Sequence, residues 1–405
     1  MVDNIIINTL SNGIRAVYLK RLGNVGFCGV AVNAGSRDEA HRYGLAHFVE
    51  HTLFKGTHRR RAWHIINRME LVGGELNAFT SKEETLVYSL FPAQHTRRAL
   101  ELIADLVMNS CFPHKELEKE REVVIEEIQS YRDTPFEAIY DDFEDYIFDG
   151  NALGHNILGT EDSLRQLSGI DCRRFISDLY VPENMVVFGV GNEGADAFFK
   201  MAERYFSPMH HPLVRPERIT PVVAQPFSHI ITNDHHQTHC VVGAPTPGMH
   251  HENKYALLLL NNMLGGPGMN SLLNVAIRER RGYAYTVESA ATLWSDCGLL
   301  SIYFGCDNAN YRKCLKIINN TLDHLATTRL SERAISAAKN QFSGQLLVSS
   351  ESLESTALSM AKGVMNFGKV SSVEEIADRI RAISADEVRN VAATIAGKCS
   401  TLTFE

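Results

Sequence analysis

The distribution of apolar and polar residues predicts strands and helices that do not follow a regular β-α-β order in the first half of the chain. Residues 1 to about 35 alternate apolar and polar side chains around a turn at 11–13, which is typical of half-buried strands. The segment LNAFTSKEETLVYSLF predicts two further strands joined by a polar turn. Apolar residues at helical spacing predict helices at about 44–54, 62–72, 99–108 and 116–129. This mixture indicates an α+β layer with antiparallel strands.

A proline-rich segment divides the chain into two halves with a similar order of elements. The sequence SPMHHPLVRPERITPVVAQP holds five of the twelve prolines and no helical periodicity, as is typical of an inter-domain linker. After it come strands, an apolar helix, a Gly-rich break, two more strands and helices to the end. We therefore predict a catalytic N-terminal domain at 1–206, a linker at 207–226 and a similar C-terminal domain at 227–405. The predicted fold class is α+β, and each half is a mostly antiparallel sheet packed by helices.

Composition and charge exclude several classes of protein. With 405 residues, 44% apolar and 22% charged, the sequence is that of an ordinary globular protein with two domains. Its net charge of −8 argues against nucleic-acid binding as the main activity. Its apolar runs are far shorter than the roughly 20 residues needed to cross a membrane, and the N-terminus lacks the pattern of a secretion signal. The eight cysteines include no Cys-x-x-Cys pair, which favours free thiols and a cytoplasmic location.

Two histidines and a glutamate have the spacing of a metal-binding helix. In His47-Phe48-Val49-Glu50-His51 the two imidazoles are one helical turn apart, so both can reach one ion. A surface stripe would show the same spacing, but Phe48 and Val49 mark the neighbouring face as buried, where unpaired polar groups are costly. The string His-x-x-Glu-His is the inverted zincin motif. We interpret His47 and His51 as zinc ligands and Glu50 as the general base.

A third ligand has to come from outside the motif, because a catalytic zinc takes three protein ligands and keeps a fourth position for water. The segment EKEREVVIEEIQSYRDTP offers five carboxylates, those of Glu118, Glu120, Glu122, Glu126 and Glu127. Glu127 shares a helical face with Val123 and Val124, whereas Glu126 faces outward, and a carboxylate on a buried face needs a cation. Glu120 lies two turns earlier on the same face and is a candidate acceptor that orients a histidine. The remaining three belong to a solvated face.

These motifs resemble those of the pitrilysin and insulin-degrading family of inverted-motif zinc peptidases, and especially its short, processing-peptidase-like members. HFVEHTLFKGT is close to the family signature, and Glu127 follows His51 by 76 residues, as the third ligand of the family does. GGELNAFTSKEET resembles the edge-strand segment of the family, and IRERRGYAYTVES matches its Arg and Tyr pair, here Arg278 and Tyr285. The resemblance spans nearly the whole chain. It departs at GGPGMNSLLN, where Leu272 replaces an arginine and puts subunit contacts in doubt.

The resemblance implies a zinc metalloendopeptidase with one Zn²⁺ per chain. It implies that two chains form a homodimer with a closed chamber, in which short or unfolded peptides bind as an added strand. Unpaired backbone groups of one segment would pair with the peptide; its residues are Leu76, Asn77, Ala78, Phe79 and Thr80. Asn77 would add a side-chain contact. Arg278 and Tyr285 would bind the substrate backbone or the developing oxyanion, a role that rests on the resemblance alone.

Two other functions remain as alternatives. Some relatives in this family are non-catalytic scaffold subunits, but those have lost motif residues that this sequence keeps. A structural zinc protein would need a closed site with four protein ligands, and the motif supplies no fourth. Neither nucleic acid nor a membrane is expected as a partner. The sequence does not distinguish peptide processing from degradation.

Overall fold

The computed structural model describes residues 5–215, 217–222, 224–232 and 236–405, so short pieces of the predicted domains and linker lie outside the described residues. The chain forms two compact units, each built from three segments. Unit 1 comprises Met1–Gln129, His155–Ile219 and Ser349–Ser372. Unit 2 comprises Ser130–Gly154, Thr220–Val348 and Val373–Glu405. Both units therefore draw on both halves of the chain, unlike the two contiguous domains that the sequence suggests.

The first half of the chain contains six strands and eight α-helices among the described residues. The strands are β1 (Ile5–Thr9), β2 (Arg15–Lys20), β3 (Val25–Val32), β4 (Glu75–Thr80), β5 (Thr85–Pro92) and β6 (Met185–Gly191). The first four helices are α1 (Leu45–Leu53), α2 (Ala62–Glu70), α3 (Thr96–Asn109) and α4 (His114–Arg132). The others are α5 (Pro135–Ile147), α6 (Glu161–Gln166), α7 (Gly169–Leu179) and α8 (Ala195–Phe206). The four helices predicted from periodicity are α1 to α4.

The second half continues with five strands and six α-helices in its described part. The strands are β7 (Ser228–Ile231), β8 (Thr238–Pro247), β9 (Ala284–Leu293), β10 (Cys297–Cys306) and β11 (Ser400–Phe404). The helices are α9 (Lys254–Gly265), α10 (Tyr311–Thr327), α11 (Glu332–Ser349), α12 (Leu353–Phe367), α13 (Val373–Ala382) and α14 (Ala385–Ile395). Residues Asn274–Glu279 form a π-helix. The prediction of helices to the end is wrong for β11.

The two sheets share one topology. Sheet 1, in unit 1, has the strand order β1-β2-β6-β3-β5-β4, and sheet 2, in unit 2, has the order β7-β11-β8-β10-β9. If β1 is set aside, the two orders correspond strand for strand along the chain. In each sheet one pair is parallel, β2 with β6 and β7 with β11, and the other pairs are antiparallel. The prediction of two similar halves with mostly antiparallel sheets is confirmed.

Each unit is completed by a helix from the other half of the chain. In unit 1, α12 packs its Met360 and Val364 side chains into one buried cluster with Val17 and Phe188 of sheet 1. In unit 2, α5 contributes a buried cluster with sheet 2 that contains Phe143. This reciprocal exchange explains why the units are not contiguous in sequence. The exchange arises because α5 and α12 each carry an apolar stripe, which becomes buried when the helix packs on the face of a sheet.

Three residues of the proline-rich segment that belong to unit 1, Arg215, Arg218 and Ile219, are hydrogen-bonded to other parts of that unit. Arg218 donates to both oxygens of Asp38, at 2.9 and 2.8 Å. Arg215 donates to Asn184 Oδ1 at 2.6 Å, and the Ile219 carbonyl accepts from Arg37 at 2.8 Å. These contacts hold this part of the predicted inter-domain linker to unit 1.

All eight cysteines are free thiols, as the sequence predicts, and six of them are buried. No helix among the described residues has both the length and the apolar character to cross a membrane.

Candidate metal centre

Helix α1 places the two histidines on one side and an apolar face on another. It begins after Gly44, whose φ of 87° lies in the left-handed region and whose Cβ, if added, would lie 2.6 Å from the Leu158 carbonyl oxygen. Phe48 is fully buried. His47 and His51 are one turn apart, and the centroids of their rings are separated by 4.5 Å. The local sequence thus brings both imidazoles to one place.

Glu127 of α4 forms a cluster of three donors with these histidines. Its carboxylate lies 3.8 Å from Nε2 of His47 and 3.4 Å from Nε2 of His51. The three donor atoms lie within 4.8 Å of one another, the one such group of metal-ligating side chains in the described part of the chain. Ordinary N–H···O hydrogen bonds are shorter, about 2.7–3.2 Å. Donors bound at about 2.0–2.1 Å to a tetrahedral ion are about 3.4 Å apart, so this spacing fits zinc.

The Glu120 carboxylate fixes the orientation of the His51 ring. His51 Nδ1 lies 3.2 Å from Glu120 Oε1, and the Lys55 ammonium donates to Oε2 of the same carboxylate at 2.7 Å. Because an ionised carboxylate only accepts hydrogen bonds, His51 carries a proton on Nδ1 and presents Nε2 to Glu127. Glu120 therefore lies where the sequence analysis expects an acceptor for a histidine.

The three donors differ widely in pKa. Burial and the neighbouring His51 lower the pKa of His47 to about 4. Burial opposes the charged form of His51 as well, but the neighbouring Glu120 and Glu127 carboxylates outweigh it and raise the pKa of His51 to about 9. The neighbouring His51 holds the pKa of Glu127 below its usual value. At neutral pH the cluster therefore carries one ligand proton that a metal ion has to displace.

Glu50 lies beside this cluster without being one of its three donors. Burial raises the pKa of the Glu50 carboxyl, and the neighbouring Thr80 and His51 oppose that rise in part. Thr80 is the last residue of β4, which is the end strand of sheet 1. The proposed general base thus adjoins the edge strand. That strand contains every residue of the predicted substrate segment, which are Leu76, Asn77, Ala78, Phe79 and Thr80.

Comparison with known proteins gives consistent matches over the whole chain. Residues 20–161 match the family model described as Insulinase (Peptidase family M16), and residues 168–342 match the Peptidase M16 inactive domain. A Bacillus subtilis protein named uncharacterized zinc protease YmxG is 33% identical over 392 residues, which cover 95% of this chain and 94% of the relative. The chain belongs to peptidase family M16. An uncharacterized zinc protease of Mycobacterium tuberculosis is 34% identical over 394 residues, 95% of this M16 chain and 89% of the relative.

Two solved structures share the fold. A structure described as a peptidase M16 inactive domain from Pseudomonas fluorescens superimposes with a TM-score of 0.92 at 16% identity, covering 99% of this chain and 97% of the other. A protease from Helicobacter pylori gives a TM-score of 0.90 at 22% identity, with 99% of both chains covered. At such identities the likeness shows the fold alone. The three metal donors and Glu50 all fall in the region of this M16 chain that matches the insulinase model.

The face assignment on α4 needs a correction. Val123, placed on the buried face by the sequence analysis, is 47% exposed, whereas Val124 and Ile128 are buried. The Glu127 side chain is 43% exposed and lies at the edge of this buried stripe, whereas Glu120 is buried. The argument from a buried carboxylate therefore applies to Glu120. Glu127 lies near the histidines because it is two turns from Glu120 on the same side of the helix.

Arg278 and Tyr285 lie in unit 2 of this M16 chain, apart from the unit that holds the metal cluster. Arg278 belongs to the π-helix, a rare element that often marks functional positions. Its side chain is 47% exposed, with the Glu279 carboxylate 3.8 Å away, and Tyr285 is 73% exposed. Both side chains are accessible to another molecule. The structure does not bring them to His47, His51 or Glu127 within one unit.

The sequence analysis missed two groups of residues around the centre. Lys55, which holds Glu120, lies in the FKGT segment directly after α1, and that nearness is the only signal for it in the sequence. Glu39 is buried beside the N-terminus of α1, with His155 Nε2 at 3.2 Å from its carboxylate. Glu39 and His155 are 116 residues apart, so no local pattern indicates their contact.

Proposed function

We propose that this chain is a zinc-dependent endopeptidase that hydrolyses peptide bonds in short or unfolded peptides. The observation that carries the proposal is the three-donor cluster with the half-buried carboxylate of Glu50 beside it. Three protein ligands leave a fourth position for water, as catalytic zinc sites require. The relatives named zinc proteases support the same chemistry.

In this proposal each residue of the centre has one role. His47, His51 and Glu127 hold the ion, and Glu120 orients His51. Zinc, when bound, polarises the scissile carbonyl and makes water more acidic. Glu50 accepts the proton of the attacking water and delivers it to the leaving amine nitrogen. Burial raises the pKa of Glu50 above its ordinary value, which helps this carboxylate to return a proton after taking one.

The peptide binds in this proposal as an added strand along β4. No described strand pairs with the outer edge of β4, so its backbone groups at residues 76–80 are available. Pairing through the main chain gives affinity without demanding a particular sequence, and the Asn77 side chain adds one contact. The position of Glu50 beside Thr80 supports this site, because a strand bound there passes the metal cluster.

Activity in this proposal requires a homodimer whose two chains enclose the site. Arg278 and Tyr285 of one chain then bind the backbone or the developing oxyanion of a peptide held at the metal centre of the other. The exposure of both side chains and the resemblance of the sequence to the processing-peptidase-like members support this arrangement. Two identical chains would form two equivalent sites.

The Glu50→Gln variant tests the chemistry. It should keep stoichiometric zinc and lose at least about 10²–10⁴ in turnover on a peptide library, because the base is gone but no ligand is. Wild-type protein that binds zinc yet cleaves no peptide would instead identify the non-catalytic scaffold subunit. Loss of zinc from the variant would make Glu50 a ligand and overturn the assigned roles.

A mixture of two inactive variants tests the dimer. Glu50→Gln and Arg278→Ala chains are dissociated and reassociated together, and exchange is verified by mass. About half of the dimers are then mixed, and each mixed dimer has one site with both lesions and one site with none. About a quarter of wild-type activity should return. A mixture that exchanges subunits and stays inactive would show that Arg278 does not act across the dimer.

A further inference from the structure

The short turn that precedes the metal helix carries three consecutive charged side chains, all buried. Residues Ser36–Asp38 form a 3₁₀ turn, and Arg37, Asp38 and Glu39 are each less than 5% exposed. All three bind other parts of unit 1. Arg37 pairs with Glu83 at 2.6 Å, and Asp38 pairs with Arg218 at 2.8 Å. Buried charges are costly unless their partners are well placed, so this turn is a fixed junction.

Glu39 binds the first turn of the metal helix. Its Oε2 accepts from the backbone N–H of Gly44 at 3.0 Å, and its Oε1 accepts from that of Ala46 at 2.7 Å. The first N–H groups of a helix lack partners inside the helix, and Gly44 has no side chain to supply one. Glu39 therefore caps the N-terminus of α1, although it lies five residues before Gly44. One of the two N–H groups that it binds belongs to Ala46, which directly precedes His47.

The same turn is bonded to the hairpin that ends the edge strand. Ser36 N donates to the Ser81 carbonyl at 3.1 Å, and Arg37 N donates to the Lys82 carbonyl at 2.8 Å. A Cβ at Gly35 would lie 2.2 Å from the Ser81 oxygen, so only glycine allows this approach. Residues 81–84 connect β4 to β5. The turn therefore joins the end of β4 to the start of α1.

The Glu39 carboxyl group also contacts His155, which is in turn bonded to the β4–β5 hairpin. His155 Nε2 lies 3.2 Å from Glu39 Oε2, and the His155 ring stacks on Tyr43 at 4.3 Å between centroids. Lys82, itself buried, donates from its ammonium to the His155 carbonyl at 2.5 Å. Burial raises the pKa of Glu39 well above its usual range, and the backbone N–H groups of Ala46 and Gly44 and the Lys82 charge oppose that rise.

We propose that Glu39 is a positioning residue, which holds the N-terminus of the metal helix at a fixed place relative to edge strand β4. The inference rests on the proposed function only for its catalytic consequence, since the effect on metal binding is independent of peptide cleavage. Sites that hold a metal and a substrate need their side chains held within about 0.5 Å of the productive geometry. Glu39 touches neither substrate nor metal and acts through α1.

The test compares Glu39→Gln with Asp38→Asn, two neutralised acids that are neighbours in the same turn. Glu39→Gln keeps the size of the side chain but turns an N–H₂ group toward a backbone N–H of α1. Asp38→Asn weakens the contact with Arg218 and leaves α1 untouched. Zinc affinity, the visible absorption spectrum of the Co²⁺-loaded protein and thermal unfolding are measured for both, below the unfolding temperature of each. Glu39→Asp, too short to reach both N–H groups, serves if Glu39→Gln does not fold.

Glu39→Gln should bind zinc at least about 10-fold more weakly, the usual scale for groups that orient ligands, and should change the Co²⁺ spectrum. Asp38→Asn should lose about as much thermal stability as Glu39→Gln does, but it should keep the zinc affinity and the Co²⁺ spectrum of the wild type. At saturating zinc, Glu39→Gln should lower kcat and leave KM close to the wild-type value, because β4, where the peptide binds, is intact. Equal metal affinity and identical Co²⁺ spectra in the two variants would overturn the proposal. Wild-type protein that binds metal without cleaving peptides would refute the proposed function. The metal affinities and Co²⁺ spectra of the two variants would still test the role of Glu39.

Discussion

Zinc affinity should rise steeply with pH through the neutral range because one ligand holds a proton there. His51 has a pKa of about 9, whereas the pKa of His47 is about 4. At pH 7 His51 is two units below its pKa, so about 99 of 100 metal-free molecules carry this proton. Zinc binds His51 only after this proton has left, so each decrease of one pH unit should weaken the apparent zinc affinity about tenfold. From pH 8 to pH 6 the expected loss is about 100-fold.

Competition titrations against a chromophoric chelator at pH 6, 7 and 8 measure this slope, with the chelator's own protonation subtracted. Calorimetry in two buffers of different ionisation enthalpy counts the released proton directly. Glu120→Gln removes the strongest single interaction that raises the pKa of His51, so the zinc affinity of this variant should depend less on pH as the pH approaches 8. Glu126→Gln is the matched control on the exposed side of α4 and should keep the wild-type slope. Wild-type affinity that does not vary between pH 6 and 8 would refute the reasoning.

Two further outcomes follow from the structure. Glu127→Gln should weaken zinc binding and peptide cleavage together, whereas Glu126→Gln should leave both nearly intact; the reverse pattern in a metal assay would move the ligand by one residue. Phe143→Ala should lower the free energy of unfolding by about 3–5 kcal/mol, because the ring is fully buried against sheet 2 and its loss leaves a cavity. Urea denaturation checks this value, and a loss below about 1 kcal/mol would mean that α5 does not hold the unit together.

The sequence predicted those features whose signals are local. The positions of His47, Glu50 and His51 follow from the helical spacing within α1, and Glu120 and Glu127 follow from two turns of α4. The hairpin of β4 and β5 follows from alternation around a polar turn. In each case the residues that act together are close in sequence or share one regular element, so periodicity alone relates them.

Features that depend on distant parts of the chain were not predictable in this way. Strand β6 is buried at every position, so its pattern lacks the alternation that marks a half-buried strand. The three charges at 37–39 look like a solvated turn, because their partners lie elsewhere in the sequence, among them Glu83 and Arg218. The contacts of Arg215 and Arg218 in the predicted inter-domain linker were not predictable for the same reason. Burial of a charge depends on a partner that local sequence does not reveal.

The exchange of α5 and α12 constrains how this protein is made. During synthesis the N-terminal strands leave the ribosome long before residues 353–367, which form the helix that covers Val17 and Phe188. Until then one apolar face of sheet 1 has no cover from its own half of the chain. Unit 1 therefore cannot finish folding as an early, independent domain, as multidomain chains commonly do from the N-terminus. Nearly the whole polypeptide has to be available before the metal-binding unit is complete, which makes the nascent chain a client for chaperones that shield apolar surface.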